Sequence, residues 1–431
     1  MRASPLANFM LVFYFFASIL IFLGLVSLRG GFYYLAHFRR ELSKKQVSYA
    51  PRATVIAPCR GLDYGFSENI AALFHQDYPS FEIIFVTDSA EDPSLAVVED
   101  ARRQFSGSGF PPSSARIAGK AVESGQKIHN LIDAVRVADA ASEVFIFVDT
   151  DARPAKDWLR SLVAPLGSEE VGAATGYRWF VPVRGGLASR LRSAWNASIA
   201  SALGANREKN FCWGGSTAIR RDTFEELGMI ERWRGALSDD FAMTRALSEA
   251  RLPIHFVPAC LTASLEDCSF RELFEFTTRQ MKITRVYAPH LWKAVLISGL
   301  LFVPTFFGGI ALVIARAALG LSYAWPLLLL VVVYMLGVWK AWLRWRAVNL
   351  ALSGHRALLR RDAFSQLFLW PFATSLFLYN ALAAALSRRI NWRGITYELR
   401  SPTETLICDK PHERSPSHSR QAESAEDARR I

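Results

Sequence analysis

The chain has 431 residues, of which 51% are apolar, and a formal net charge of +11. It is long enough for a sizeable core and more than one structural unit, and too apolar for an ordinary soluble protein. Its basic residues collect beside the apolar runs, where they suit anionic lipid head groups, and no nucleic-acid motif accompanies them, so nucleic acid is not expected as a partner. The five cysteines are odd in number and form no Cys-x-x-Cys pair, which leaves a zinc site or disulfide framework unsupported and free thiols in a reducing compartment as the reading.

From Phe9 to Leu28 no residue is charged, a run of roughly the 20 residues that a helix needs to cross hydrocarbon. Residues 1–29 are read as a transmembrane anchor. A signal peptide is the rival, disfavoured by the length of the apolar core, by Arg2 as the sole basic residue before it and by the lack of a small-x-small site after it. Arg29, Arg39, Arg40, Lys44, Lys45 and Arg52 follow. The positive-inside rule places that cluster, and with it residues 30–290, in the cytosol.

Within this domain the β-branched run Thr54–Gly61 predicts a strand and turn, followed by a helical pattern from about Glu68 to His75. Glu82–Val86 predicts a second buried strand ending at Asp88, Gln126–Ala140 a helix, and Val144–Val148 a third strand. Alternating strands and helices imply an α/β fold, a Rossmann-like, mostly parallel sheet with right-handed crossovers. In such sheets ligands bind beyond the carboxyl ends of the strands, where Arg60, Asp88 and the pair Asp149 and Asp151 are expected. Two carboxylates one residue apart can face one divalent cation, because alternate strand positions share a side. A solvated strand-end turn also explains such a pair, since Asp favours turns.

In Cys212-Trp213-Gly214-Gly215 an aromatic meets two glycines, which lets backbone approach a ligand or simply makes a tight turn. Ser238-Asp239-Asp240-Phe241 opens a helical pattern. Its carboxylates can sit near a reacting hydroxyl or complement the helix dipole.

Between Ala294 and Trp339 the only charge is Arg316, and Ala317–Ser322 supplies a turn, so residues 291–345 are read as a transmembrane hairpin. Lys340, Arg344, Arg346, Arg356, Arg360 and Arg361 follow on the cytosolic side. A third uncharged run, Ala363–Ser387, lies within residues 346–400. If it spanned, Arg388, Arg389 and Arg393 would lie outside against the charge rule, so a re-entrant or interfacial segment broken near Pro371 is expected. The tail 401–431, rich in Ser, Glu, Arg and Pro, is expected to be disordered.

Together these motifs resemble the processive-type glycosyltransferases of family two and, more closely, the ceramide glucosyltransferases of family twenty-one, from about Gly30 to the hairpin. The resemblance rests on Pro58-Cys59-Arg60-Gly61, Phe74-His75-Gln76-Asp77-Tyr78-Pro79, Val86-Thr87-Asp88-Ser89, Gly125-Gln126-Lys127-Ile128-His129-Asn130-Leu131, Asp149-Thr150-Asp151 and Ser238-Asp239-Asp240-Phe241. It implies a GT-A domain in which Asp88 holds the nucleoside and Lys127 faces the diphosphate. Asp149 and Asp151 would then bind Mg²⁺ or Mn²⁺, and Asp240 would be the catalytic base.

Where related enzymes carry Gln/Arg-x-x-Arg-Trp, this chain reads Arg279-Gln280-Met281-Lys282-Ile283, with Arg285 placed to take over part of the phosphate role. A Lys is a point charge where Arg would bind oxygens in a fork, and the aromatic platform for a sugar acceptor is gone. Asn391-Trp392-Arg393-Gly394-Ile395-Thr396-Tyr397 resembles the Trp-Arg-x-x-x-Tyr segment that follows the last membrane run in these enzymes.

The resemblance implies inverting transfer of glucose from UDP-glucose to ceramide or a similar lipid, by an integral protein of a bacterial-type inner or plasma membrane. Transfer of N-acetylglucosamine to a hopanoid or other polar lipid is the near alternative. A non-catalytic membrane scaffold is the alternative of a different class.

Overall fold

The computed structural model describes residues 5–44 and 48–408. Seven strands form the main sheet: β1 (Ala53–Pro58), β2 (Phe81–Thr87), β3 (Ser113–Ile117), β4 (Val144–Val148), β5 (Ala173–Val181), β6 (Ser216–Arg220) and β7 (Ile254–Leu265). Their order is β3-β2-β1-β4-β6-β5-β7. The neighbours pair in parallel except where β6 meets β4 and β5.

Helices cover both faces, which is why the strands read as unbroken apolar runs rather than as alternating ones. All five residues of β4 are buried. Val55, Ile83 and Ile146 pack on one side with Ile70, Leu73 and Trp158. Ile56, Ile84 and Phe147 pack on the other with Ile128, Leu131 and Trp233.

The α/β expectation holds, with details that differ. The first strand stops at Pro58, and the helix Gln126–Arg136 ends before the predicted Ala140. β3 lies at an edge with no residue fully buried, so it carries no apolar run for periodicity to find.

Three helices among the described residues are long and apolar enough to cross a membrane: Met10–Leu42, Pro289–Ala318 and Ala324–Ala351. The first continues past residue 29 into the α/β domain. There His37 Nε2 lies 3.3 Å from the Phe256 carbonyl, and Glu41 lies 3.2 Å from His255 on β7. Phe38 and Tyr34 join Trp179 and Phe256 in one cluster with Leu343 and Ala347 of the Ala324 helix. The sheet therefore rests directly on the apolar helices, its β5–β7 side against them.

The third apolar run forms the helices Ala363–Phe368 and Trp370–Leu386, interrupted at Leu369 just before Pro371. The second has 17 residues, about 25 Å at the usual helical rise and short of a hydrocarbon core of roughly 30 Å. Its Phe377 stacks on Trp195 of the helix Leu187–Ala200, with ring centroids 4.8 Å apart.

A second sheet, β8 (Arg389–Trp392), β9 (Ile395–Ser401) and β10 (Glu404–Cys408), is antiparallel. The chain from Ser401 was expected to be disordered. Instead it forms β10, because Thr405 is buried and Ile407 packs beside Tyr397 and Leu399. Residues 409–431 of that expected tail lie outside the described residues.

Candidate active site

Arg60 beyond β1, Asp149 and Asp151 beyond β4, and Trp213 and Gly214 just before β6 all reach one edge of the sheet, where they line a cleft of about 1490 Å³. Lys127, in the first turn of the Gln126 helix, and Asp239 and Asp240, in the first turn of the helix Asp239–Glu249, line the same cleft. Asp88, beyond β2, is held 2.5 Å from Arg60. Residues scattered over the chain thus meet at the edge that a parallel sheet reserves for ligands.

The starts of two helices are locked together. The Gly125 amide donates to the Ala236 carbonyl over 2.8 Å, and a Cβ at Gly125 would lie 3.0 Å from the Leu237 carbonyl oxygen, so glycine alone permits the approach. That contact brings Lys127 Nζ to 2.8 Å from Asp149 Oδ1 and 3.2 Å from Asp239 Oδ2. Nζ also donates to the Gly214 carbonyl at 3.3 Å. A Cβ at Gly214 would collide with both Asp239 and Lys127, which makes this glycine a floor for the ion pair.

Asp239 is only 5% exposed. Burial raises its carboxyl to about 6, with Lys127 opposing the rise and Asp240 and Asp149 adding to it. Asp240 is half-buried. Its Oδ1 accepts from the Phe241 amide at 2.8 Å and from the Ser238 hydroxyl, while Oδ2 has no hydrogen-bond partner among the described residues. Of the two, Asp240 keeps an oxygen free toward the cleft and Asp239 is committed to Lys127.

Sequence reasoning missed Arg178 on β5. Its guanidinium donates to both oxygens of Asp151, at 2.9 and 3.3 Å, and to Asp149 Oδ2 at 3.2 Å. It also lies 4.9 Å from the centre of the Trp213 ring, within cation–π range. Burial disfavours charge on Asp149, but Lys127 and Arg178 outweigh it and hold the carboxyl below its ordinary range. The signal was a lone cationic residue inside an otherwise uncharged strand, the one position of β5 that is not fully buried.

The third cluster of expected site residues divides. Arg279 lines the cleft between Phe276 and Trp392, 5.4 and 5.5 Å from their ring centres. It makes no ion pair among the described residues, and burial, with Arg393 and Arg178 nearby, lowers its guanidinium to about 10.

Lys282 and Arg285 do not reach the cleft. Lys282 donates to the Arg389 carbonyl at 2.7 Å, and Arg285 donates to the Ala384 carbonyl at 2.5 Å and covers Trp292. A linear motif gives spacing but not which face of the helix turns inward. Here residue 279 faces the cleft while 285 ties to the last turn of the helix Trp370–Leu386 and 282 to the chain that follows it. Ile283, at the position where related enzymes carry Trp, is 5% exposed and packs against Ile390, Tyr397 and Leu399.

The β8–β9 hairpin thus walls one side of the cleft. It turns tightly at Arg393 and Gly394, both with positive φ (50° and 81°). Arg393 donates to Asp63 at 2.7 and 2.9 Å and to the Arg60 carbonyl at 2.8 Å. The Tyr397 hydroxyl accepts from the Gln126 amide at 3.2 Å. At its far end the cleft is lined by Ala294, Val295, Ser298, Gly299, Thr374 and Phe377, from the Pro289 and Trp370 helices.

Among the described residues no group of three or more His, Cys, Asp or Glu side chains is arranged to hold a metal by itself. Asp149 and Asp151 still fit Mg²⁺ or Mn²⁺, since such hard ions are commonly held by one or two carboxylates together with substrate phosphates.

The sheet and its acidic edge define a GT-A glycosyltransferase domain joined to long apolar helices. The model of glycosyl transferase family 21 matches residues 19–405, and the chain belongs to that family. It is 22% identical over 261 residues to ceramide glucosyltransferase 3 of Caenorhabditis elegans, a match covering 59% of this chain and 55% of the relative. It is 25% identical over 252 residues to ceramide glucosyltransferase 1 of the same organism, covering 56% and 51%. The chain spans about half the length of these curated relatives.

Among solved structures, the mannosyltransferase PcManGT from Pyrobaculum calidifontis, in complex with GDP-Man and Mn²⁺, is similar at 19% identity and a TM-score of 0.45, covering 86% of this chain and 98% of that one. Glucosyl-3-phosphoglycerate synthase from Mycobacterium tuberculosis, in complex with Mn²⁺ and UDP-glucose, is similar at 15% identity and a TM-score of 0.35, covering 58% and 82%.

Proposed function

We propose that this protein transfers glucose from UDP-glucose to the hydroxyl of ceramide or a similar membrane lipid, with inversion, at the cytosolic face of a bacterial-type inner or plasma membrane. The supporting observation is that one cleft joins the acidic sheet edge to the apolar helices. A polar nucleotide sugar and a lipid hydroxyl can meet there without either leaving its own medium. The curated relatives supply the choice of glucose and ceramide.

In this mechanism Asp240 takes the proton of the lipid hydroxyl as that oxygen attacks the anomeric carbon, and the bond to the diphosphate breaks on the opposite face, releasing UDP. A carboxylate with one open oxygen suits that task. Arg279, which has no anionic partner among the described residues, meets the charge that develops on the diphosphate. Lys127 keeps Asp149 and Asp239 in place. Arg60, paired with Asp88, marks the nucleoside end. Asp149 and Asp151 would hold Mg²⁺ or Mn²⁺, which when bound supplies charge neutralisation to the leaving group.

The test is purified full-length protein in detergent with Mn²⁺, ceramide or a hopanoid, and either UDP-glucose or UDP-N-acetylglucosamine. Glucosylceramide is the expected product. Product from the second donor with a hopanoid would move the assignment to the sibling activity, and no turnover with any pair would return the protein to the scaffold reading. Asp240→Asn should lower turnover by about 10²- to 10⁴-fold while UDP affinity stays close to wild type.

A further inference from the structure

Asp149 and Asp151 offer four carboxylate oxygens, and in this chain every one already faces a cation of the protein. Asp149 Oδ1 lies 2.8 Å from Lys127 Nζ. Asp149 Oδ2 lies 3.2 Å from Arg178 Nη2. Asp151 Oδ2 and Oδ1 lie 2.9 and 3.3 Å from the two terminal nitrogens of the same guanidinium.

Arg178 is not a surface side chain that folded back by chance. It rises from β5 with its side chain only 11% exposed. Its guanidinium lies against Trp213 at 4.9 Å and Phe180 at 5.5 Å from the ring centres. Its backbone carbonyl accepts from Asn196 Nδ2 at 3.0 Å.

A free divalent ion approaching these carboxylates meets a fixed positive charge between them, at a part-buried edge of the cleft where the repulsion is screened less than in bulk water. A diphosphate changes that balance. Its oxygens match the planar fork of a guanidinium at least as well as a carboxylate does, so it can draw Arg178 off the two aspartates while bringing oxygens for the metal.

We propose that Arg178 is the resident cation of the Asp149–Asp151 seat: it neutralises both carboxylates in the nucleotide-free protein, excludes a lone divalent ion, and yields the seat to a metal that arrives with a diphosphate. The first two clauses concern this chain alone, and the third rests on the nucleotide-sugar reading above. Metal affinity is then conditional on nucleotide, and the order of binding is built into the strand.

The experiment is a titration of Mn²⁺ alone onto the full chain in detergent, followed by the free-ion electron paramagnetic resonance signal, for wild type, Arg178→Met and Arg178→Lys, each without and with UDP. Without UDP, Arg178→Met should bind Mn²⁺ roughly ten- to a hundredfold tighter than wild type, the range over which neighbouring groups tune metal ligands. Arg178→Lys, which keeps a charge but cannot bridge two carboxylates, should fall between them, and it stands in if the methionine variant does not fold. With UDP the wild-type affinity should rise toward that of the variants.

Equal Mn²⁺ affinity of wild type and variants without UDP would overturn the assignment and leave Arg178 a structural ion pair. If UDP binds to none of the proteins, the nucleotide-sugar reading fails separately, and the UDP-free titration still decides the role of Arg178.

Discussion

The two ends of the cleft are built on opposite principles. At the sheet end, Lys127, Arg178 and Arg393 are all paired with carboxylates of Asp149, Asp151, Asp239 and Asp63, so position is set by charges that fix one another. At the membrane end the lining residues Ala294, Val295, Ser298, Gly299, Thr374 and Phe377 carry no charge, so the wall there is set by shape, size and two hydroxyls. A change at the first end propagates through its partners, and a change at the second stays local. The comparison therefore says where substitutions should damage folding and where they should alter only acceptor use.

The strongest break is Lys127→Met. It leaves Asp149 and Asp239 buried with one cation fewer, and breaking a buried pair from one side typically costs about 3–5 kcal/mol. Unfolding in detergent should show that loss together with weakened UDP binding. Adding Asp239→Asn should recover part of the stability but not the binding, because the two sites share one interaction. Independent, additive losses would mean that the sheet end is not a network.

At the other end, Ser298→Trp places a large side chain among the small residues that line the cleft. The acceptor KM should rise about tenfold, equivalent to roughly 1.4 kcal/mol, with UDP affinity unchanged. Equal losses in both would show that the two ends are coupled and would remove the contrast.

This contrast also explains what the sequence disclosed. Asp149 and Asp151 were legible because a fully apolar strand ends in two acids beside other strands that end in polar residues, and the α/β fold was legible from the alternation of strand and helix patterns. Lys127 needed the family motif to be singled out, as did the choice of Asp240 over Asp239 as base, and both Lys127 and Asp240 reach the cleft. Arg178 was hidden because its neighbours Tyr177 and Trp179 read as core, and a β5 pairing set by contacts with β6 and β7 cannot be inferred from local pattern. Lys282 and Arg285 were misplaced because motif spacing does not fix which way a helix is turned. The hairpin that closes the cleft draws its order from Tyr397, Leu399 and Ile407 packing on Ile283, a contact between segments more than a hundred residues apart.

That packing changes what Ile283→Trp tests. The sequence suggested that it would restore an aromatic platform, but Ile283 is buried under the hairpin and Trp392 already supplies an aromatic ring beside Arg279. Overfilling the cluster should cost about 1–3 kcal/mol and weaken transfer by displacing Arg393 from Asp63, without creating polysaccharide synthesis. Trp392→Ala is the sharper probe. It should raise the KM for the sugar donor and leave overall stability nearly unchanged. Improved activity in Ile283→Trp would show that the hairpin is not the wall it is taken to be.

The last expected effect is a pH dependence of stability carried by Asp239. Its carboxyl is raised from 3.8 to about 6 by burial, so between those values the folded protein holds a proton that the unfolded chain has released. Folding then takes up protons, and the contribution of Asp239 is fully present below about pH 4, declines as pH rises through 6 and is constant above it. Asp239→Asn removes the titration. The wild-type stability, measured relative to this variant, should fall between pH 4 and 6 by roughly 1–3 kcal/mol and then level off. A difference that instead grows with pH would mean that Lys127 dominates over burial and lowers the carboxyl. Asp239 would then be a permanently ionised partner of the sheet-end network rather than a titrating member of it.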